Sequence, residues 1–436
     1  MPRALLFSVI LFLFHLTACS VNPVTGENQF SLLSPAQEVA MGEQNYTPYQ
    51  QQQGGRYSVD NDIHGGSDSG LNSDLNRYVN NVGQKLAKYS PNPNLPYEFV
   101  ILNNETPNAW ALPGGKIAIN RGLLLMLKDE AQLAAVLSHE IVHAAARHGA
   151  QQMTQQSILG LGADLLGSAT QGTEYGDLLK IGSGYASNAW QARYGRGQEL
   201  QSDNYGIDIM VAAGYEPRAA VELQLLFVQL SQGQQTGLLD SLFASHPPSH
   251  ERVNRNREKT LNLPEGVRNK QAYRRATAQL SHDKAAYKLQ QNALKEAQAG
   301  NSSNALTLLD DAIKKQPKES AFHISAGQIH LANKNYSKAQ AAFTQAKKLN
   351  PDYFMSHLGL GLSQKAQNNT TAAKQSLISS MHLLPTQIST YHLGEISLQE
   401  GDTNAAIQYF NSAAQSGGVL GKAATAKLQQ LHVPTQ

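Results

Sequence analysis

The sequence holds one cysteine, almost no surplus of either charge, and no apolar run fit to remain in a bilayer. A single thiol excludes an internal disulfide, whatever the redox state of the compartment. With 35 Lys+Arg against 33 Asp+Glu, the net charge of +2 offers no concentrated basic face, so no nucleic acid is expected as a partner. The apolar run from Leu5 to Phe14 is too short to span a membrane as a mature helix. The Gly-rich stretch from Ile158 to Gly184 is interrupted by Asp164, Glu174 and Asp177, and reads as a flap beside a cleft rather than a span. What is present is a globular composition, 41% hydrophobic, in a chain of 436 residues that has room for two or three domains.

Arg3, the short apolar run and Leu16-Thr17-Ala18-Cys19 read as a signal peptide over residues 1–18. Leu-Thr-Ala-Cys resembles the bacterial lipobox. That resemblance implies lipidation of Cys19 as the new N-terminus, and several acyl chains would anchor the protein stably to a membrane. Ser20, rather than Asp, follows the cysteine, which by the same resemblance implies the outer membrane and a periplasmic location. Residues 19–33 then read as an extended tether. Ser34-Pro35-Ala36-Gln37 has the pattern of a helix start, and residues 50–70 that of a mobile loop. A helix is expected from Leu71 to about Tyr89, followed by β-rich Tyr97–Leu102. The alternating Lys116-Ile117-Ala118-Ile119-Asn120 comes after a Pro113-Gly114-Gly115 turn. Asp129 caps a helix expected to reach His148, with Leu133, Val136, Leu137, Ile141 and Ala144 inward. Another helix is expected over about 198–213, stopped by Gly214.

The C-terminal third repeats. Pro317, Pro351 and Pro385 lie 34 residues apart, as do Ala305, Ala339 and Ala373, and Leu309, Phe343 and Leu377. Gly327 and Gly361 keep the interval, and a unit one residue shorter continues with Gly394, Ala406 and Phe410. This period, with small residues where two helices cross, resembles the tetratricopeptide repeat. About four units are expected from Lys284 to Gly417, then a closing helix over 419–431.

His139-Glu140-Ile141-Val142-His143 lies inside the Asp129-capped helix. Residues four apart share a helix face, so both imidazoles can grip one ion while Glu140 reaches the attacking water from the side. A catalytic zinc needs a third protein ligand. The position ten after His139 is Gly149, and Ala146 stands where the metzincin pattern has Gly, so that class is excluded. His148 reads as a solvated histidine favourable to the helix dipole. Glu199 and Asp203 lie one turn apart on the next helix and could serve as ligand and orienting group. The residues alone favour a solvated acidic face for that pair.

The order of Asn108-Ala109-Trp110-Ala111-Leu112-Pro113-Gly114-Gly115, Ile119-Asn120-Arg121-Gly122-Leu123, the His-Glu motif and Glu199-x-x-x-Asp203 resembles the zinc peptidase family of the HtpX and CaaX prenyl proteases. Ala213-Gly214-Tyr215-Glu216-Pro217 and Ser245-His246-Pro247-Pro248-Ser249-His250-Glu251-Arg252 extend the resemblance over about Leu33 to Arg257. It implies that His139, His143 and Glu199 hold one zinc per chain, with Glu140 as catalytic acid/base and Asp203 orienting a ligand imidazole. Ser202 stands where Ala is usual, a harmless departure. The integral-membrane helices of the prenyl proteases are absent, so prenylated substrates are not implied. Substrate is expected to pair with the strand containing Lys116, Ile117, Ala118 and Ile119. Asn108 would fix the edge loop or bind substrate. Arg252 would steady the transition state or form an ion pair with Asp203. His246 is expected either as a packed loop histidine or as a fourth zinc ligand that keeps the enzyme latent.

The expected architecture is mainly α, of the α+β kind. A gluzincin-type metallopeptidase domain with a small sheet covers 34–262, a linker helix 263–283, and an α-solenoid of tetratricopeptide repeats 284–436. The resemblance implies an endopeptidase of the periplasm and outer membrane that degrades misfolded or stalled outer-membrane proteins and assists their assembly. Expected partners are β-barrel proteins, their assembly machinery, and a peptide or protein in the repeat groove. The alternative is an adaptor whose repeats carry the function.

Overall fold

The computed structural model describes residues 19–57, 73–155, 194–232, 239–415 and 418–431. The expected signal peptide, the loop beyond residue 57, the flap over 158–184 and the stretch after Gln232 lie outside them. The chain divides into two compact units, Met1–Tyr49 with Leu75–Ala278, and Gln50–Asp74 with Gln279–Gln436.

In the first unit, the expected tether is a small hairpin. Strands β1 (Cys19–Val21) and β2 (Asn28–Phe30) pair antiparallel, with Cys19 opposite Phe30. Asn22-Pro23 makes the turn: Asn22 Oδ1 accepts from Val24 N at 2.9 Å, and Gly26 takes φ +74°. Helices α1 (Pro35–Gln52) and α2 (Ser73–Ala87) follow.

A three-stranded sheet comes next, built from β3 (Glu98–Leu102), β4 (Ala109–Leu112) and β5 (Lys116–Asn120) in the order β3-β5-β4. Gly114 and Gly115, both at positive φ, turn β4 tightly into β5. β5 is therefore the central strand, parallel to β3 and antiparallel to β4. A short turn of helix, α3 (Arg121–Leu124), leads to α4 (Glu130–Ala145), every residue of which is buried. The expected inward residues are inside, and so are Gln132 and Ser138, because β4 and the helices α5 (Arg196–Ala212) and α6 (Arg218–Gln232) surround α4. Asp129 caps it, accepting from Gln132 N at 2.9 Å. The helix ends earlier than expected: Arg147 adopts φ +63°, and a second helical segment starts at His148.

Helices α7 (Asp240–Ser245), α8 (His250–Thr260) and α9 (Lys270–Ala276) complete the unit. The segment expected as a linker packs into it. Val267 bridges to Tyr215, Arg268 pairs with Asp129 and Glu222, and the buried Tyr273 hydroxyl donates to Leu124 O at 2.6 Å.

The second unit is a run of helices: α10 (Ala278–Gln298), α11 (Ser302–Lys315), α12 (Ser320–Ala332), α13 (Tyr336–Leu349), α14 (Phe354–Ala366), α15 (Thr370–Leu383), α16 (Gln387–Gln399), α17 (Thr403–Ala414) and the closing α18 (Gly418–Gln430). The sequence period has a packing cause. A methyl group on Gly327 would come within 2.9 Å of the Phe343 ring, on Gly361 within 2.8 Å of Leu377, and on Gly394 within 2.7 Å of Phe410. Each glycine is thus the socket for the large residue of the following helix, and Ala305, Ala339, Ala373 and Ala406 are buried where the paired helices meet.

Candidate metal centre

α4 presents His139 and His143 one turn apart, with their Nε2 atoms 3.0 Å from each other. Helix α5 can approach them because Gly206 has no side chain: a Cβ there would stand 3.3 Å from both His139 N and Ser138 Oγ. That approach puts Glu199 Oε1 3.2 Å from His143 Nε2 and Oε2 3.5 Å from His139 Nε2. One turn on, Asp203 Oδ1 lies 3.0 Å from His139 Nδ1. His246 follows α7; its Nδ1 is 3.1 Å from Glu199 Oε1 and 3.4 Å from His139 Nε2. One ligand atom from each of His139, His143, Glu199 and His246 lies within 4.8 Å of all the others.

The donor set suits zinc. Bonds of about 2.0–2.1 Å in a tetrahedron place ligand atoms ~3.3 Å apart. The 3.0, 3.2 and 3.5 Å separations among His139, His143 and Glu199 bracket that value. Among the described residues, Glu140 Oε2 and His246 Nε2 are buried with no hydrogen-bond partner, Nε2 lying 3.5 Å from Glu140 Oε1. Buried polar atoms left unpaired are costly, and both belong to residues that line the cavity beside His139.

The charges interlock. Arg252 is buried and grips Asp203 in bidentate fashion, Nε to Oδ2 at 2.6 Å and Nη2 to Oδ1 at 2.7 Å. Its Nη1 lies 2.6 Å from Glu199 Oε2 and 3.2 Å from Pro247 O. Burial pushes Glu199 and Asp203 up, but the Arg252 guanidinium with His139 outweighs it and holds both carboxyls below their usual range. Burial pulls His139 down, yet Glu199 and Asp203 together raise it to about 10. Its proton must leave when a metal takes Nε2. His143, dominated by burial, is held well below 6.5, and burial pushes Glu140 above the usual carboxylate range.

Other expected residues stand elsewhere. Lys116, Ile117, Ala118 and Ile119 are buried in a strand paired on both edges, so β5 cannot accept a substrate strand. Lys116 is paired with Glu98 and lies over the Tyr46 ring. Alternation marked β5 as a strand but could not give its place in the sheet. Among the described residues the outer edge of β4 carries no strand. Ala109 at its start lines a cavity of about 50 Å³ together with Val136, His139, Glu140, Phe227 and Arg252. Asn108 Nδ2 donates to Ser241 Oγ at 3.3 Å, while its Oδ1 is buried without a partner. The donors of Arg252 lie on Asp203, Glu199 and Pro247, so the expected ion pair with Asp203 is formed.

Two neighbours went unforeseen. His148, expected in solvent, is fully buried with its Nδ1 2.9 Å from His143 Nδ1. Tyr194 stacks on the His143 ring at 3.7 Å between centroids. The helix break that buries His148 is made by an arginine, which carries no sequence signature, and nothing in the pattern marks Tyr194.

Since α5 owes its approach to Gly206, Gly206→Val should overpack the crossing at a cost of about 1–3 kcal/mol. Zinc affinity, read by competition with a chromophoric chelator, is expected to fall about 10-fold or more. An unchanged affinity would mean that Glu199 is not held by this contact.

Residues 73–260 match the profile of Peptidase family M48. Tetratricopeptide repeat profiles match 291–354, 327–377 and 389–416. A putative beta-barrel assembly-enhancing protease of Vibrio cholerae is 28% identical over 197 residues, covering 44% of this chain and 40% of that protein. The mitochondrial metalloendopeptidase OMA1 of Schizosaccharomyces pombe is 31% identical over 181 residues, 40% of this chain and 50% of its own. Metalloprotease YcaL of Escherichia coli is 28% identical over 189 residues, 41% and 69% respectively. The chain thus spans less than half of the Vibrio protein that it matches. Profile and helical architecture agree along the sequence, and the chain carries a peptidase domain of family M48 followed by tetratricopeptide repeats.

Proposed function

We propose that this protein is a zinc-dependent endopeptidase of the bacterial periplasm, lipid-anchored through Cys19 to the outer membrane, that degrades misfolded or stalled outer-membrane proteins and assists their assembly. The observation that carries the hydrolytic reading is the convergence of His139, His143 and Glu199 with Glu140 beside them, its Oε2 unpaired. A zinc ion held there would supply Lewis acidity, activating water and polarising the scissile carbonyl. Glu140 takes a proton from the attacking water and returns it to the leaving amine. Burial raises its pKa above the usual carboxylate range. Asp203 holds the Nδ1 side of His139, and Arg252 holds Asp203.

The β4 edge from Ala109 to Leu112 takes the substrate main chain as an added strand, beside the cavity that reaches Glu140. Main-chain pairing tolerates many sequences, which suits unfolded clients. The repeats dock client or assembly proteins in their groove. Support for the envelope role comes from Leu16-Thr17-Ala18-Cys19 and from the names carried by the bacterial relatives. Cys19→Ser is expected to move the protein from the membrane to the soluble fraction of cells; retention in the membrane would sink the anchor.

His246 would hold the zinc as a fourth ligand and so keep the enzyme latent; its ring stands against Glu199 and His139. The deciding experiment measures casein degradation by the purified protein with zinc quantified, alongside His246→Ala and Glu140→Gln. His246→Ala should cleave several-fold faster than the parent. If neither cleaves with about one zinc bound per chain, the peptidase reading fails and the adaptor reading takes its place.

A further inference from the structure

We infer that His148, itself set by Gln201, is a positioning residue that fixes the proton of His143 on Nδ1 and so aims the His143 Nε2 lone pair at the metal. The inference rests on His143 being a metal ligand, and goes beyond it to the hydrogen-bond chain behind that ligand. His148 Nδ1 lies 2.9 Å from His143 Nδ1, and on its far side His148 Nε2 lies 3.2 Å from Gln201 Oε1. Two neutral ring nitrogens at that distance share one proton, and its owner decides the chemistry.

Were the proton on His148 Nδ1, neutral His143 would carry its own on Nε2. That atom faces Glu199 and His139, and a proton there blocks ligation. The Gln201 amide disfavours this arrangement, because its Oε1, 3.2 Å from His148 Nε2, calls for a proton on that nitrogen. A neutral imidazole protonated on Nε2 has only a lone pair on Nδ1, so the shared proton belongs to His143. His148 is fully buried and its ring nitrogens face His143 and Gln201, neither of them a carboxylate that would hold a second proton on the ring, so it is neutral. The two ligand imidazoles are therefore oriented by different means: His139 by the carboxylate of Asp203, His143 by a neutral relay.

The backbone is built to deliver the relay. Arg147 takes φ +63°, uncommon for a residue with a side chain, and the break carries His148 back beneath His143. A buried ion pair pins the break, with Arg147 Nε donating to Glu38 Oε1 at 2.7 Å and Nη2 to Leu33 O at 2.6 Å. Tyr194 stacks against the His143 ring at 3.7 Å and restrains its rotation.

The test measures zinc dissociation constants of the full chain at one fixed pH by chelator competition. His148→Leu should weaken zinc about 10–100-fold. His148→Asn, whose Oδ1 can still accept from His143 Nδ1–H, should stay close to the parent, a rescue that general packing does not predict. Long-range 1H–15N correlation spectra of the zinc-loaded parent should show His143 as the Nδ1–H tautomer and His148 as Nε2–H. Unchanged affinity in His148→Leu overturns the relay. So does a His148 Nδ1–H tautomer, and that measurement decides the matter even if the leucine variant fails to fold. A parent that binds no zinc would instead bring down the metal centre itself.

Discussion

Glu140→Gln is expected to lower kcat/KM for peptide hydrolysis by about 10²–10⁴-fold while zinc remains bound at about one per chain. Gln fills the same volume and keeps an acceptor oxygen, but it cannot take a proton. Glu140 is not among the four residues whose ligand atoms converge, so the metal should not notice the change. At 1.36 kcal/mol per tenfold, the loss corresponds to about 3–5 kcal/mol of transition-state stabilisation. Burial pushes the Glu140 carboxyl up, while His246 and His139 pull it part of the way back. A carboxyl group can take and release a proton, and an amide has no such freedom. Two measurements separate the outcomes: initial rates on an unfolded substrate, and zinc content. Loss of zinc together with activity would assign Glu140 to holding the metal. Undiminished hydrolysis would remove it from the chemistry.

The parts of this site that the sequence disclosed are those written in local geometry. His139 and His143 need only a helix and a spacing of four, and both are visible in a capped, apolar segment. The repeats were visible because every unit must solve the same packing problem, a glycine socket for Phe343, Leu377 or Phe410. Glu199 and Asp203 were different: spacing left them a solvated acidic face, and only the motif order of a known family brought them to the metal. The place of β5 was hidden for a different reason. The Pro113-Gly114-Gly115 turn dictates that β4 and β5 pair, but whether β3 lies beside β4 or beyond β5 depends on long-range pairing. The pairing chosen buries Lys116–Asn120 and leaves β4 at the edge. His148 was misplaced because helix periodicity was extended through Arg147, whose left-handed backbone is held by Glu38 from a distant helix. Residues 19–33 looked extended because the turn from Asn22 to Glu27 joins two strands of only three residues each.

Arg252→Leu should be the most damaging single change to the first unit, and its damage should be greater without metal than with it. In the parent, one buried guanidinium serves two buried carboxylates, Asp203 through a bidentate pair and Glu199 through Nη1. Removing the guanidinium leaves both buried anions with only the His139 side of the cluster to offset them. Breaking a buried pair in this way costs about 3–5 kcal/mol, because desolvation of the survivors is no longer offset. Burial is already the largest influence on both carboxyls, and it acts upward. With Arg252 gone, Asp203 is driven toward its protonated form, and a protonated Asp203 is a poorer acceptor for His139 Nδ1. Zinc restores part of the lost charge at Glu199, so ligand linkage predicts a smaller loss for the metal-loaded protein. Arg252→Lys keeps the charge without the planar fork and should fall between the two. Thermal unfolding with and without a chelator, together with kcat on an unfolded substrate, reads all of this. If Arg252→Leu unfolds like the parent and loses only kcat, Arg252 contacts the transition state after all, and its ion pairs with Asp203 and Glu199 give way when substrate binds.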